Sequence, residues 1–216
     1  MIYRTKDCAE MTEEWQKLGP DMVARLLGEI NPHLAPVSFD TTSTTIRSQK
    51  LSFYKEYSFL ELTDLSTVPG ARKYVLFKPG TKGADVNVIN WTNQTIYDVN
   101  EKAPVVLNED TITSYVKFFF GYVRGRHGRF LIIETIDDVR WQIEPPAQGR
   151  KVMQEMLAPV TLESMEADGV FSLSAFMVFK DSLFKTRIHV NPDGLVSMSD
   201  EDLKIEGMPI LQDTAA

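Results

Sequence analysis

The 216-residue chain is poor in the residues that usually mark a metal or catalytic site. It has one cysteine, Cys8, and three widely spaced histidines, His33, His127 and His189. A single cysteine excludes an intrachain disulfide and a structural zinc site built on thiolates. The histidines lack the short spacings of metal-binding motifs, and neither G-x-S-x-G nor H-E-x-x-H occurs. We therefore predict no metal, no cofactor and no nucleophile with a local signature.

Long apolar runs and excess positive charge are also missing. No run approaches the roughly 18 residues of a transmembrane helix, and the charged start MIYRTKDCAEMTEEWQ has no apolar centre typical of a signal peptide. The formal net charge is −7, which disfavours nucleic acids and anionic membranes because both are bound through excess Lys and Arg. These absences predict a cytoplasmic protein that binds neither nucleic acid nor membrane.

Hydrophobic spacing predicts three helices. The first covers residues 10–29, either as one helix or as two that meet at Gly19-Pro20. The second covers 108–123, with Asn108 as its N-cap and a wide apolar stripe. The third is short, covers 148–159 and ends at Pro159. The segment from 38 to 46 is predicted to be a loop or an edge strand.

Two antiparallel meanders are predicted between and after these helices. The first has strands from 51 to 62, 72 to 77, 85 to 91 and 95 to 99, with a bulge near Leu60 and a hairpin at Asn93-Gln94. After a buried strand at 129–136, the second meander follows Thr161, and its NPDG segment at 191–194 has the proline and glycine of a tight turn. The order of elements predicts an α+β fold with mostly antiparallel sheet.

The double proline at 145–146 is the predicted domain boundary. It separates an N-terminal α+β lobe, 1–146, from a C-terminal helix and meander, 147–216, and we expect the two to pack as one compact unit.

The segment FFFGYVRGRHGRFLIIE, residues 118–134, concentrates positive charge in Arg124, Arg126, His127 and Arg129. Glycine-spaced amides and arginine forks can bind phosphate or carboxylate. The cluster follows the C-terminus of a predicted helix, however, where free carbonyls attract cations. We therefore predict a capping turn whose arginines bind these carbonyls or pair with acidic neighbours. Anion binding is the alternative.

Three consecutive phenylalanines, 118–120, cover most of the circumference of the same helix. Either the helix is buried on all sides, which we favour, or one ring is exposed. In the second case Phe118 or Phe120, together with Trp91 or Trp141, would form an interaction surface.

Two segments resemble parts of an uncharacterised bacterial protein family: LNEDTITSYVKFFFGYVRGRHGRFLIIE (107–134) and VFKDSLFKTRIHVNPDGLVSMSDEDL (178–203). The resemblance covers residues 95–210. It implies a bacterial cytoplasmic protein in which both segments belong to one module. It implies no activity, ligand or catalytic residue.

The favoured function is a non-enzymatic binding or protein-interaction module, whose partner is another protein or a second copy of the chain. One alternative is an enzyme that acts on a small anionic substrate, held by Arg124, Arg126 and Arg129, with His127 transferring the proton. Another is a structural subunit of an oligomer. We expect the enzyme alternative to require Arg126 and His127 in one concave pocket together with an acidic partner.

Overall fold

The computed structural model describes residues 14–66 and 68–211. This part of the chain divides into two units, 14–52 with 57–86, and 53–56 with 87–211. The fold is α+β with two antiparallel sheets of five strands each, which confirms the predicted fold class. None of the helices in the described part has the length and hydropathy that a bilayer crossing requires.

The first unit begins with a short strand, β1 (Gln16–Lys17), and a helix, α1 (Pro20–Ile30). The helix starts at proline because the first helical position needs no N–H group. One face of α1 is buried, through Val23, Leu26, Leu27 and Ile30. The predicted helix over 10–29 is therefore wrong for residues 14–19, and residues 10–13 lie outside the described part.

The first sheet is a meander in the order β1-β2-β3-β4-β5. Its longer strands are β2 (Thr44–Lys50), β3 (Ser58–Asp64), β4 (Ala71–Lys78) and β5 (Asp85–Val88). β3 pairs with β2 and β4 without a register shift, so the predicted bulge near Leu60 is wrong. Apolar residues swap face in the sequence because this central strand is buried on both faces, with Phe59, Leu60 and Leu62 at most 2% exposed.

The second unit contains the second sheet and three helices. The sheet has the strands β6 (Phe130–Ile132), β7 (Thr161–Met165), β8 (Phe171–Phe179), β9 (Ser182–Val190) and β10 (Val196–Ile205). The pairing order is β10-β9-β8, and β6 and β7 share the remaining edge of β8. The helices are α2 (Asn93–Lys102), α3 (Ile112–Tyr122) and α4 (Ala147–Met156).

Helix α2 stands where a hairpin is predicted at Asn93-Gln94, and that prediction is wrong. The side chain of Asn90 accepts hydrogen bonds from the Thr92 backbone N–H at 3.1 Å and the Thr95 hydroxyl at 3.0 Å, which turns the chain at the start of the helix. Ile96 and Val99 then fall on one helical face and are fully buried.

Helix α3 is buried over most of its surface, but the predicted burial on all sides does not extend to Lys117, which is exposed. Its six buried residues include all three consecutive phenylalanines. Asn108 lies in the turn before the helix, where its side-chain oxygen accepts from the backbone N–H groups of Asp110 and Thr111. The predicted cap is thus one turn ahead of the first helical residue.

One hydrophobic cluster of the second unit crosses the predicted boundary at 145–146. It joins Ile133, Ile136 and Val139 to later residues that include Met153, Phe176 and Val178. Residues on both sides of the double proline thus share one core, and the division after Pro146 stays a prediction.

Candidate ligand-binding groove

A groove of about 490 Å³ lies in the second unit. It is formed by the first turns of α2, the end of α3 with the following turn, β6 and the start of β10. Its apolar lining is Tyr97, Phe119, Phe120, Val123, Phe130, Val196 and Met198. Its remaining lining is Thr92, Asn93, Arg124, Gly125, Arg126 and Ser197. The volume is within the range of small-molecule sites, and the only formal charges on this lining are those of two arginines.

Arg129 caps the C-terminus of α3. Its Nε donates to the carbonyl oxygen of Phe120 at 3.3 Å, and its Nη2 donates to that of Gly121. These carbonyls belong to the last four of the helix, which have no partner within it, and the helix dipole stabilises a cation there. Arg129 does what the capping interpretation predicts, and it is not part of the groove lining.

Arg124 has a different environment. Its backbone N–H donates to the Trp91 carbonyl at 2.7 Å, and its guanidinium carbon lies 4.4 Å from the centre of the Trp91 ring, within cation–π distance. Its Nε is buried without a hydrogen-bond partner. Within residues 14–66 and 68–211 no acceptor or carboxylate pairs with this guanidinium. A buried unpaired donor is costly, so Arg124 is the strongest candidate for contact with a ligand.

Arg126 and His127 lie in the tight turn that Gly125 and Gly128 close with two backbone hydrogen bonds of 2.9 and 3.3 Å. Both side chains are exposed. Arg126 lines the groove and has no ion pair among the described residues, whereas His127 is not part of the lining. The structure therefore brings Arg124 and Arg126 to one groove and leaves His127 outside it.

Trp91 lies two residues before α2 and contacts the end of α3. Its φ of +67° is in the left-handed region, which is unfavourable for a bulky side chain. Its ring stacks on Tyr122 at 6.2 Å and lies 5.7 Å from the Arg129 guanidinium. Such local strain is typical of sites where the surrounding structure fixes the geometry.

Phe118 and Phe120 were the other predicted members of an interaction surface with Trp91. Each is only 6% exposed. Phe118 packs against Phe53 with ring centres 5.4 Å apart, and Phe120 meets Phe119 edge to face. Because both rings fill the core of the second unit, they offer almost no surface to a partner.

The N-terminus of α2 adds to the positive character of the groove. Thr92 precedes the helix; its hydroxyl donates to Asn90 at 2.7 Å, and its side chain makes no capping hydrogen bond to α2. The first turn has no acidic residue, so the positive end of the helix dipole is uncompensated. The N-terminus of α2 was not predicted, although the polar residues Asn90 and Thr92 ahead of the buried Ile96 and Val99 indicate the start of a helix.

His189 and two of the acidic side chains have partners within the second unit. His189 bridges the hydroxyls of Ser172 and Ser199, at 3.1 and 2.9 Å, across three neighbouring strands. Asp137 pairs with Arg150 at 3.2 Å and Asp200 with Arg187 at 2.5 Å. In the part of the chain that the structure describes, no group of three or more His, Cys, Asp and Glu side chains is arranged to hold a metal ion.

Comparison with protein-family models, with curated proteins and with solved structures finds no match for this chain. The chemistry of the groove is therefore argued from its own residues.

Proposed function

We propose that the protein is a non-enzymatic binding module that takes a small organic anion in the groove of the second unit. One observation carries the proposal: in the described chain, Arg124 and Arg126 both line the groove without an ion pair or a side-chain hydrogen bond, and no carboxylate lines it with them. Guanidinium groups form short, charge-assisted hydrogen bonds to carboxylate and phosphate oxygens. An anion in the groove would supply the missing acceptors.

Binding is favoured over catalysis by what else lines the groove. The described lining has no histidine, lysine, cysteine or acidic side chain, so no residue with an ordinary pKa near neutrality is placed for general acid–base catalysis. His127 is exposed on the turn outside the lining. The enzyme alternative therefore has arginines to hold a substrate but no group to transfer its proton.

A small ligand is favoured over a protein partner because Phe118 and Phe120, two of the residues of the predicted aromatic surface, are buried in the core. Self-association, a bacterial origin and a cytoplasmic location stay predictions from the sequence. Measuring the mass in solution would test the first of these.

The proposal is tested by thermal stability in the presence of organic acids such as octanoate and benzoate. At 100 times its dissociation constant, a ligand stabilises the native state by roughly 2.7 kcal/mol. We expect stabilisation of the wild-type protein and its loss in the double variant Arg124→Gln/Arg126→Gln. Arg150→Gln/Arg187→Gln is the matched control, because it removes two charges that pair elsewhere on the surface. Equal stabilisation of both double variants, or none of the wild type, would refute the proposal.

A further inference from the structure

We infer that the ligand is a single-headed amphiphile, with one carboxylate or phosphate group on an apolar body. The inference rests on the proposed function and adds the chemical class of the ligand. It comes from the composition of the groove lining, which combines two cationic side chains with a larger set of apolar ones.

The cationic end of the groove is fixed by the contact between Arg124 and Trp91. The hydrogen bond of 2.7 Å between the Arg124 N–H and the Trp91 carbonyl places Arg124 beside Thr92, where α2 begins. Arg126 follows two residues later on the same turn. Two guanidinium groups and the uncapped helix N-terminus thus share one end, and one anionic head satisfies them together.

The apolar part begins farther along α2. Tyr97 follows Thr92 by five residues, about 7.5 Å along a helix axis. Its ring stacks on Phe119 at 5.8 Å, and its hydroxyl accepts a hydrogen bond from the Val196 N–H at 3.2 Å. The hydroxyl is thus engaged with β10, and the ring serves as an apolar wall.

Phe130 and Met198 extend this wall. Phe130 stacks on Phe179 with ring centres 4.4 Å apart, which holds its ring in place, and Met198 is an adaptable side chain at the start of β10. Besides the two arginines, the polar side chains on the described lining are those of Thr92 and Asn93 at the start of α2, the Tyr97 hydroxyl and Ser197. An inorganic anion would leave this wall in contact with water, whereas an amphiphile covers it.

Burial of each methylene group should strengthen binding roughly fourfold. We therefore expect affinity to rise from butanoate to hexanoate to octanoate until the apolar part is filled. Octyl phosphate should also bind, at least as tightly as octanoate, because it presents an oxyanion of higher charge on an alkyl body of similar length. Octanamide, which lacks the charge, and inorganic phosphate, which lacks the body, should each bind at least tenfold more weakly than octanoate.

The test is isothermal titration calorimetry of the full chain with these six compounds below their micelle concentrations. Arg124→Gln should weaken all of the carboxylates and octyl phosphate by a similar factor of ten or more. Met198→Gln should weaken octanoate several-fold, and more than it weakens butanoate, because the shorter chain covers less of the apolar lining. Circular dichroism checks that each variant is folded, and the chain-length series in the wild-type protein decides the question if either is not.

The outcomes separate the two proposals. If inorganic phosphate or butanoate binds as tightly as octanoate, and Arg124→Gln abolishes that binding, the amphiphile inference fails while the anion site stands. If octanamide binds as tightly as octanoate, or if no anion binds, the proposed function itself fails. A rise with chain length that also depends on Arg124 supports both.

Discussion

The guanidinium of Arg124 lies 4.4 Å from the centre of the Trp91 ring, and the backbone N–H of Arg124 donates to the Trp91 carbonyl. Trp91, which is in a left-handed conformation with φ of +67°, thus holds both the main chain and the side chain of Arg124. A strained residue of this kind costs about 1–3 kcal/mol. Arg124 should therefore be held ready for a ligand before the ligand arrives, which reduces the entropy lost on binding.

Trp91→Asn should weaken octanoate binding about tenfold or more, because it removes the ring over which Arg124 lies. Asn tolerates the left-handed conformation, so the turn itself can persist. Trp91→Phe keeps an aromatic face and should stay within roughly threefold of the wild-type affinity, since cation–π attraction to Phe is weaker but present. Calorimetric titration measures both variants.

Urea unfolding of the two Trp91 variants measures their stability. This shows whether a change in octanoate affinity comes from the orientation of Arg124 or from general destabilisation of the fold. If Asn and Phe at this position reduce octanoate affinity equally, the ring has no role in orienting Arg124. If affinity follows stability and not the presence of a ring, Trp91 is structural only.

Arg129→Ala should destabilise the fold by about 1.5–3 kcal/mol, the usual contribution of hydrogen bonds to a charged group. The reason is that the carbonyls of Phe120 and Gly121 lose the side chain that caps them. Arg126→Ala is the matched control, because Arg126 is exposed on the same turn and should change stability by no more than about 0.5 kcal/mol. Urea unfolding compares the two, and equal losses would contradict the division of roles among the arginines.

The sequence was sufficient to predict α3 and the NPDG turn because local chemistry decides both. The apolar stripe of α3 is long and continuous, and Gly194 has the left-handed φ of +84° that the turn prediction requires. The residues of α2 were misread because TIYDV contains β-branched and aromatic residues that favour strands. Packing of Ile96 and Val99 in the core overrides this local preference.

The roles of the three arginines could not be separated from sequence. Arg124 and Arg129 are both close to the end of α3 in the chain, but only Arg129 points back to its carbonyls. The Gly125–Gly128 turn reverses the chain between them. Which cation caps and which remains unpaired therefore depends on a three-dimensional contact with Trp91, from a segment more than 30 residues earlier.

Gly194→Ala should destabilise the protein by more than 2 kcal/mol. A methyl group at this position would lie 2.4 Å from the Asn100 Nδ2 and 2.6 Å from the Tyr115 hydroxyl, in addition to the cost of a left-handed φ. Gly207→Ala is the matched control, because Gly207 has a similar φ of +71° and open space around the added carbon. Gly207→Ala should destabilise the protein only by the cost of a left-handed φ for alanine, about 1–2 kcal/mol. Urea unfolding of both variants gives the difference, and equal losses would mean that the contact with Asn100 and Tyr115 relaxes freely.

The free energy of unfolding at alkaline pH should depend on the buried hydroxyl of Tyr115. Its hydroxyl donates to the Gly194 carbonyl at 2.6 Å and accepts from the Asn100 side chain at 3.0 Å.

Burial raises the pKa of the Tyr115 phenol well above its ordinary value of 10.0, because the charged form would lose its hydration. A raised pKa in the folded state means that the full contribution to stability is present below about pH 10. It is lost above that pH, where the phenol of the unfolded chain ionises and that of the folded chain does not. The slope is about 1.4 kcal/mol per pH unit.

Tyr115→Phe should be less stable than the wild type at pH 7 by about 1–3 kcal/mol, since it leaves the Gly194 carbonyl and the Asn100 amide without their partner. It also removes the ionising group. The difference in the free energy of unfolding between the two proteins should therefore be constant from pH 7 to 9 and shrink above pH 10. Urea titrations at pH 7, 9, 10 and 11 measure this difference, in which the other tyrosines and the lysines cancel. If the two proteins lose stability in parallel across that range, the phenol of Tyr115 ionises as readily in the fold as in the unfolded chain, and its burial does not control the alkaline limit of stability.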